Sequence, residues 1–267
     1  MKLDKRIVAK PWGRTDIPAQ FAAPQGEPVG EIWFQDPDGD AAPLLIKYLF
    51  TSERLSVQVH PNDEQAQARG FARGKEECWL VLDAGPQGEV GVGLKDDSNA
   101  AELRAAALSG AIERMIDWRP ARAGDFIYND AGTIHAIGAD VTILEVQQNV
   151  DLTYRLYDYG RPRELHLDDG LAVSRVTAGG SSRDRHVGTS GDLLLVDGPH
   201  FGVRRVEGPV GELALPAPLY VVPLDGSCRV EGETIHVGEC ARTDDASSIA
   251  IPPGLNVVLA WAKGAKP

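Results

Sequence analysis

Leu55-Ser-Val-Gln-Val-His-Pro-Asn-Asp63 decides how this chain is read. Alternation along an extended segment sets Gln58 and His60 on one face and Val57 and Val59 on the other. Pro61 has no N–H to give a ladder and fixes its own φ, so the strand is expected to end there. Two metal-competent side chains then project together from one strand end. Two more groups sit in comparable places. Glu77 opens the apolar run Cys78-Trp-Leu-Val-Leu82, and His135 lies inside Gly132-Thr-Ile-His-Ala-Ile-Gly138. Two imidazoles, a carboxylate and an amide oxygen suit Zn²⁺, one ion per chain, and Mn²⁺, Co²⁺ and Fe²⁺ share these donors. Gln58, His60, Glu77 and His135 are therefore the expected metal ligands.

Each of the four also has a plain structural reading. A lone strand histidine is often just hydrogen-bonded, a glutamate can simply end a strand, and a histidine between glycines can cap a loop. What favours chemistry is their joint appearance on separate strands. His166 follows the arginine cluster and reads as a surface helix residue, with contact to an anionic ligand as the alternative, His186 falls in a linking stretch, and His200 and His236 have no comparable companions, so the metal is expected in the first module only.

Outward from this stretch the chain is strand-rich. Glu31–Phe34, Leu44–Phe50, Glu77–Leu82, Val90–Leu94 and Val141–Gln148 all have β character. Lys47 is the anomaly in an apolar strand, destined either for solvent along its stem or for a polar site. Lys10-Pro-Trp-Gly13 reads as a loop or arm anchored by Trp12, and Asn129-Asp-Ala-Gly132 as a turn. Ala- and Leu-rich residues near 98–116 predict a short helical element, with Ser98 as N-cap and a break at Gly110. Residues 178–190, dense in Gly, Ser and charge, predict a flexible link or domain boundary. Beyond it come short strands near 193–196, 201–206, 219–224, 226–230, 233–237 and 257–261. The expected architecture is mainly β, two modules of small-barrel or sandwich type, with a helical insertion in the first.

Composition narrows the function. The chain has 267 residues, 43% of them hydrophobic, and a formal net charge of −12. It can bury a sizeable core, and its acidity argues against nucleic acid as a partner. Three cysteines without a close pair point to a reducing compartment. The absence of an apolar leader or a spanning run predicts a cytoplasmic protein without membrane contact. No dinucleotide-binding glycine motif, P-loop or nucleophile elbow occurs. A phosphate would then be met by side chains, and Arg155, Arg161 and Arg163 form a local cationic cluster. Arg155 is a candidate to hold phosphate or to stabilise enolate charge, against a plain salt bridge to Glu145 or Asp158. Lys75, two residues before Glu77, is a second candidate. Asp130, Glu145 and His135 are possible acid–base groups.

With these residues in view, the chain resembles the type I phosphomannose isomerases, also called mannose-6-phosphate isomerases, in their short bacterial form. The matching segments are Pro11-Trp-Gly13, Gly30-Glu-Ile-Trp33, Pro43-Leu-Leu-Ile-Lys47, Leu55 to Pro61, Gly74-Lys-Glu-Glu-Cys-Trp79, Gly132-Thr-Ile-His-Ala136 and Thr153 to Arg161. The resemblance implies a cupin architecture: two cupin-like β-barrel or jelly-roll modules. Residues 1–178 would be the catalytic, metal-binding domain and 179–267 a cupin-like domain without metal. It implies zinc on Gln58, His60, Glu77 and His135, and active-site roles for Arg155 and Lys75. It further implies a phosphorylated sugar substrate, mannose 6-phosphate exchanged with fructose 6-phosphate through a cis-enediol. The alternatives are another metal-dependent cupin enzyme, either an oxygenase or an isomerase of a different sugar, and a non-catalytic sugar-binding cupin. Both a monomer and a homodimer are compatible with the sequence.

Overall fold

The computed structural model describes residues 1–211 and 213–264. Positions 212 and 265–267 of the expected second module lie outside the described residues. The fold is mainly β, built of antiparallel sheets with a small helical content, in keeping with a cupin-type topology. No helix among the described residues is long and apolar enough to cross a membrane. The chain divides into two compact units that do not follow its linear order. One comprises residues 1–49, 144–146 and 187–267, the other residues 50–143 and 147–186. Leu3 N–H donates to the Cys240 carbonyl and Arg242 N–H to that of Met1, which ties the N-terminus to the C-terminal strands.

The second unit carries the expected ligands. In one sheet the strands Tyr154–Tyr157, Val57–Val59, His135–Ile137, Glu89–Leu94 and Ile116–Pro120 lie side by side in that order. Register places Arg155 opposite Gln58, and Gln58 opposite His135. Laterally paired residues share a face, so these three form a row across the sheet. Val57 and Val59 point the other way, into a core with Leu103, Ile112, Tyr154 and Leu156. That core includes the helices Ala100–Ser109 and Ile112–Met115, separated as expected at Gly110, which takes φ +78°. The cap is one residue later than expected. The Asn99 side chain accepts from Ala101 and Glu102 N–H, while Ser98 Oγ donates to Glu102. A further pair in this unit sets Glu77–Ala84 against Asp125–Asn129, with Glu77 directly opposite Asn129.

In the first unit, strands Asp4–Arg14, Val29–Gln35 and Leu44–Phe50 run antiparallel in sequence. The Lys10-Pro-Trp-Gly13 stretch is strand, not loop. A register shift between Ala9 and Arg14 absorbs the proline and glycine. Trp12 is buried, as an anchor should be. Lys47 is buried too, paired with Glu145 at 3.1 Å and 4.7 Å from the centre of the Trp33 ring. The C-terminal strands form a sheet in the order Leu193–Asp197, Phe201–Glu207, Asn256–Ala262, Leu219–Pro223, Ala241–Thr243. Beside it stands a smaller one of Glu233–His236, Ser227–Val230 and Ile249–Ala250. Val206, Val221, Val230, Ile235 and Leu259 form their core. The end of the stretch expected as a flexible link or domain boundary is anchored. Buried Arg205 donates to the carbonyls of Val187, Gly188, Ser190 and Gly191.

Candidate metal centre

Local chain geometry brings the site together. Val59 is followed by His60 and Pro61, and the strand stops. Asn62 then opens the helix Asp63–Gln67 with a capping box, its side chain accepting from Gln65 N–H and the Gln65 side chain accepting in return. Asp63 accepts the Gly74 N–H at 2.8 Å, and Pro61 O accepts the Lys75 N–H at 3.0 Å. A Cβ on Gly74 would lie 2.4 Å from the Asn62 carbonyl carbon. Only glycine allows Lys75, Glu76 and Glu77 to start this close to His60. From the other side, Gly132 N–H donates to the His60 carbonyl at φ +83°, which delivers Thr133 and His135.

His60, Glu77 and His135 are buried, and one ligand atom from each lies within 4.8 Å of the others. His60 Nδ1 faces the Leu152 carbonyl at 3.0 Å, and His135 Nδ1 faces that of Thr133 at 2.9 Å. A carbonyl can only accept, so both rings carry their proton on Nδ1 and present the Nε2 lone pair inward. Burial, with the Lys75 ammonium, pushes His60 down to about 3. Burial also lowers His135. Burial alone pushes the Glu77 carboxyl up, but the Lys75 ammonium beside it holds it well below the usual carboxylate range. The result is two neutral lone-pair nitrogens, each 3.4 Å from an oxygen of an ionised carboxylate. Acceptors facing acceptors repel, and a cation among them reconciles the set. On one side the Lys75 ammonium serves, 2.5 Å from Glu77 Oε2 and 3.0 Å from His60 Nε2. On the other, Glu77 Oε1 is buried without any hydrogen-bond partner. These donors fit a divalent metal ion.

The other expected residues fall into three groups. Gln58 is half-buried, with its amide nitrogen 3.2 Å from His135 Nε2, so it borders the cluster as alternation predicted. Arg155 stands in the same lateral row. It forms neither of the expected salt bridges, and it donates from Nη1 to the Glu164 carbonyl at 2.8 Å. With Arg69 and His166 it lines a cavity of about 500 Å³. Arg161 and Arg163, by contrast, are both taken up by Asp158. Asp130 is held by Arg183 at 2.7 Å and Glu145 by Lys47. Sequence reasoning missed Trp79, whose ring meets His135 edge-on at 5.4 Å, and Asn129, treated as a turn residue. Alternation could have found both. Trp79 is two residues from Glu77 on the same strand face, and Asn129 follows Phe126-Ile-Tyr128 as the next residue of the same strand.

No family model matches the chain. It is 36% identical over 195 residues to the mannose-6-phosphate isomerase ManA of Bacillus subtilis, a match covering 67% of this chain and 62% of that protein. It is 33% identical over 222 residues to the mannose-6-phosphate isomerase of Streptococcus mutans, covering 77% of this chain and 70% of that one. In three dimensions it matches the crystal structure of the Bacillus subtilis mannose 6-phosphate isomerase with TM-score 0.84 and 26% identity, over 97% of this chain and 98% of that one. The Salmonella typhimurium enzyme shares the fold at TM-score 0.72 and 15% identity, over 98% and 99% of the two chains. An extended match to the Streptococcus mutans protein and a shared fold along nearly the whole length agree with the buried histidine–glutamate cluster. The chain belongs to the mannose-6-phosphate isomerase family.

Proposed function

We propose that the protein interconverts mannose 6-phosphate and fructose 6-phosphate through a cis-enediol, with one Zn²⁺ held by His60, Glu77, His135 and Gln58. One observation carries this reading: two buried imidazoles, fixed by carbonyls, face an ionised carboxylate whose second oxygen has no partner. Gln58 joins by turning its amide so that the oxygen replaces the nitrogen now at His135. A divalent ion held there would supply Lewis acidity to the sugar's carbonyl group. Net reaction moves one proton from C2 to C1 and one from the C2 oxygen to the C1 oxygen, so that the carbonyl shifts from C1 to C2. Negative charge grows on the oxygens as the C2 proton leaves. The Lys75 ammonium, buried and preorganised by Glu77, is the chain's own donor to such an oxyanion. Arg155 keeps guanidinium donors beyond the one given to Glu164, and we assign it to the substrate phosphate. We further assign the strands to two cupin modules, and the chain, with three free and buried thiols, to the cytoplasm.

A coupled assay with purified protein tests this reading. Mannose 6-phosphate is turned over and unphosphorylated mannose is not. A folded, metal-loaded protein inert toward mannose 6-phosphate would reject the assignment.

A further inference from the structure

The structure holds a buried polar group that the reaction as described does not use. Asn129 is 1% exposed, and neither its Oδ1 nor its Nδ2 has a hydrogen-bond partner. Among the described residues it is the one buried side chain with two polar atoms unmatched. Buried amides are nearly always paired, since leaving one unpaired costs free energy that folding does not return. Its position is as unusual as its isolation. Asn129 ends the strand Asp125–Asn129 directly opposite Glu77, so the two side chains share a face and neighbour each other. That face also carries Trp79, whose ring touches His135, so it is the face of the metal cluster. The next residue back, Tyr128, points the other way, its hydroxyl donating to Glu76 at 2.5 Å. The carboxamide is therefore aimed into the site, beside a ligand that itself has an unpartnered oxygen.

A carboxamide offers two N–H donors and one carbonyl acceptor. A carboxylate or a bare cation could use only one half of that set, whereas a sugar hydroxyl, donor and acceptor at once, uses both. We infer that Asn129 is a substrate-contacting residue that pairs with a hydroxyl of the bound sugar beside Glu77, and so sets specificity for a polyhydroxylated chain. The inference rests on the isomerase reading. It makes Asn129 part of ground-state recognition, distinct from holding the metal or bearing the developing charge.

The test uses the metal-loaded protein, a non-reacting hexitol 6-phosphate as probe, and the variants Asn129→Leu and Asn129→Thr. Leucine has a similar size and no polar atom. Thr keeps a hydroxyl and a strand-forming shape. Calorimetry is expected to show the probe's Kd raised about tenfold or more in Asn129→Leu, the loss of one buried hydrogen bond. KM should rise in parallel, with a smaller rise for Asn129→Thr. Metal content should stay at the wild-type level. Tm without the probe should be unchanged or higher, because an unpaired buried amide has been removed. Unchanged Kd in a folded Asn129→Leu protein overturns the inference, as does loss of metal, which would make Asn129 a partner of the ion. A crystal structure of the wild-type complex decides independently of any variant. An amide atom about 3 Å from a sugar oxygen supports the inference, and an amide in contact with no ligand atom overturns it. If the wild type neither binds the probe nor isomerises mannose 6-phosphate, it is the isomerase reading that has failed.

Discussion

The two imidazoles show how a residue's chemistry is set by its neighbours. His60 and His135 are committed to the neutral, Nδ1-protonated form by the Leu152 and Thr133 carbonyls, and burial keeps them there. Replacing either by alanine should remove bound metal and activity together, which metal analysis beside the coupled assay would reveal. Lys75 acts differently. It already supplies positive charge to Glu77, so Lys75→Met should keep the metal while kcat falls on the order of 10²-fold, as for loss of one oxyanion donor. Arg155→Ala should also keep the metal, and its defect should appear as a KM for mannose 6-phosphate raised about tenfold or more. The cysteines are the contrasting case. Burial pushes the Cys228 thiol up to about 11 and the Cys240 thiol further. At pH 8 almost none of either is thiolate, so both should resist thiol reagents until the chain unfolds, with reactivity rising as pH approaches 11. Rapid labelling of native protein at pH 8 would contradict that burial.

At the scale of elements, local alternation carried most of the information. Gln58 beside His60, the stop at Pro61 and the break at Gly110 were all readable, because each depends on neighbours within a few residues. Where reading slipped, a second local solution existed. Ser98 and Asn99 are both capping residues, and only the backbone chooses. Asn99→Ala should cost about 1 kcal/mol in urea unfolding, and Ser98→Ala a few tenths. Likewise Pro11 and Gly13 suggest a loop, but a shifted register admits them to a strand. Asn129 was read with the turn that follows it, although its strand pairing puts it opposite Glu77. Gly132 couples element to site. A Cβ there would lie 2.8 Å from the Val173 carbonyl oxygen, at φ +83°. Gly132→Ala should cost roughly 1–3 kcal/mol of stability and weaken metal binding by displacing His135, both measurable on one preparation.

The whole molecule was the least legible level. Nothing local says that residues 1–49 group with 187–267, because the hydrogen bonds of the N-terminus to the C-terminal strands span more than two hundred residues. The Lys47–Glu145 pair is the same kind of fact. The sequence marked Lys47 as anomalous, and only the fold names its partner. Arg205 was hidden for a related reason: it satisfies four carbonyls at the end of a segment whose composition suggests a flexible link or domain boundary. Arg205→Met should destabilise the chain by about 3 kcal/mol or more, leaving those carbonyls unpaired. Its folded fraction should still bind metal, since the ligands belong to the other unit.

The central proposal is that the cluster of His60, Glu77 and His135, which could hold a divalent ion, does so and that sugar-phosphate isomerisation depends on it. The most direct test is to measure metal stoichiometry and turnover of mannose 6-phosphate on the same sample, before chelation, after it, and after zinc is restored. One ion per chain is expected, with activity lost and regained in proportion to it and neither recovered in His135→Ala. Full turnover by metal-free protein, or by metal-free His135→Ala, would contradict it.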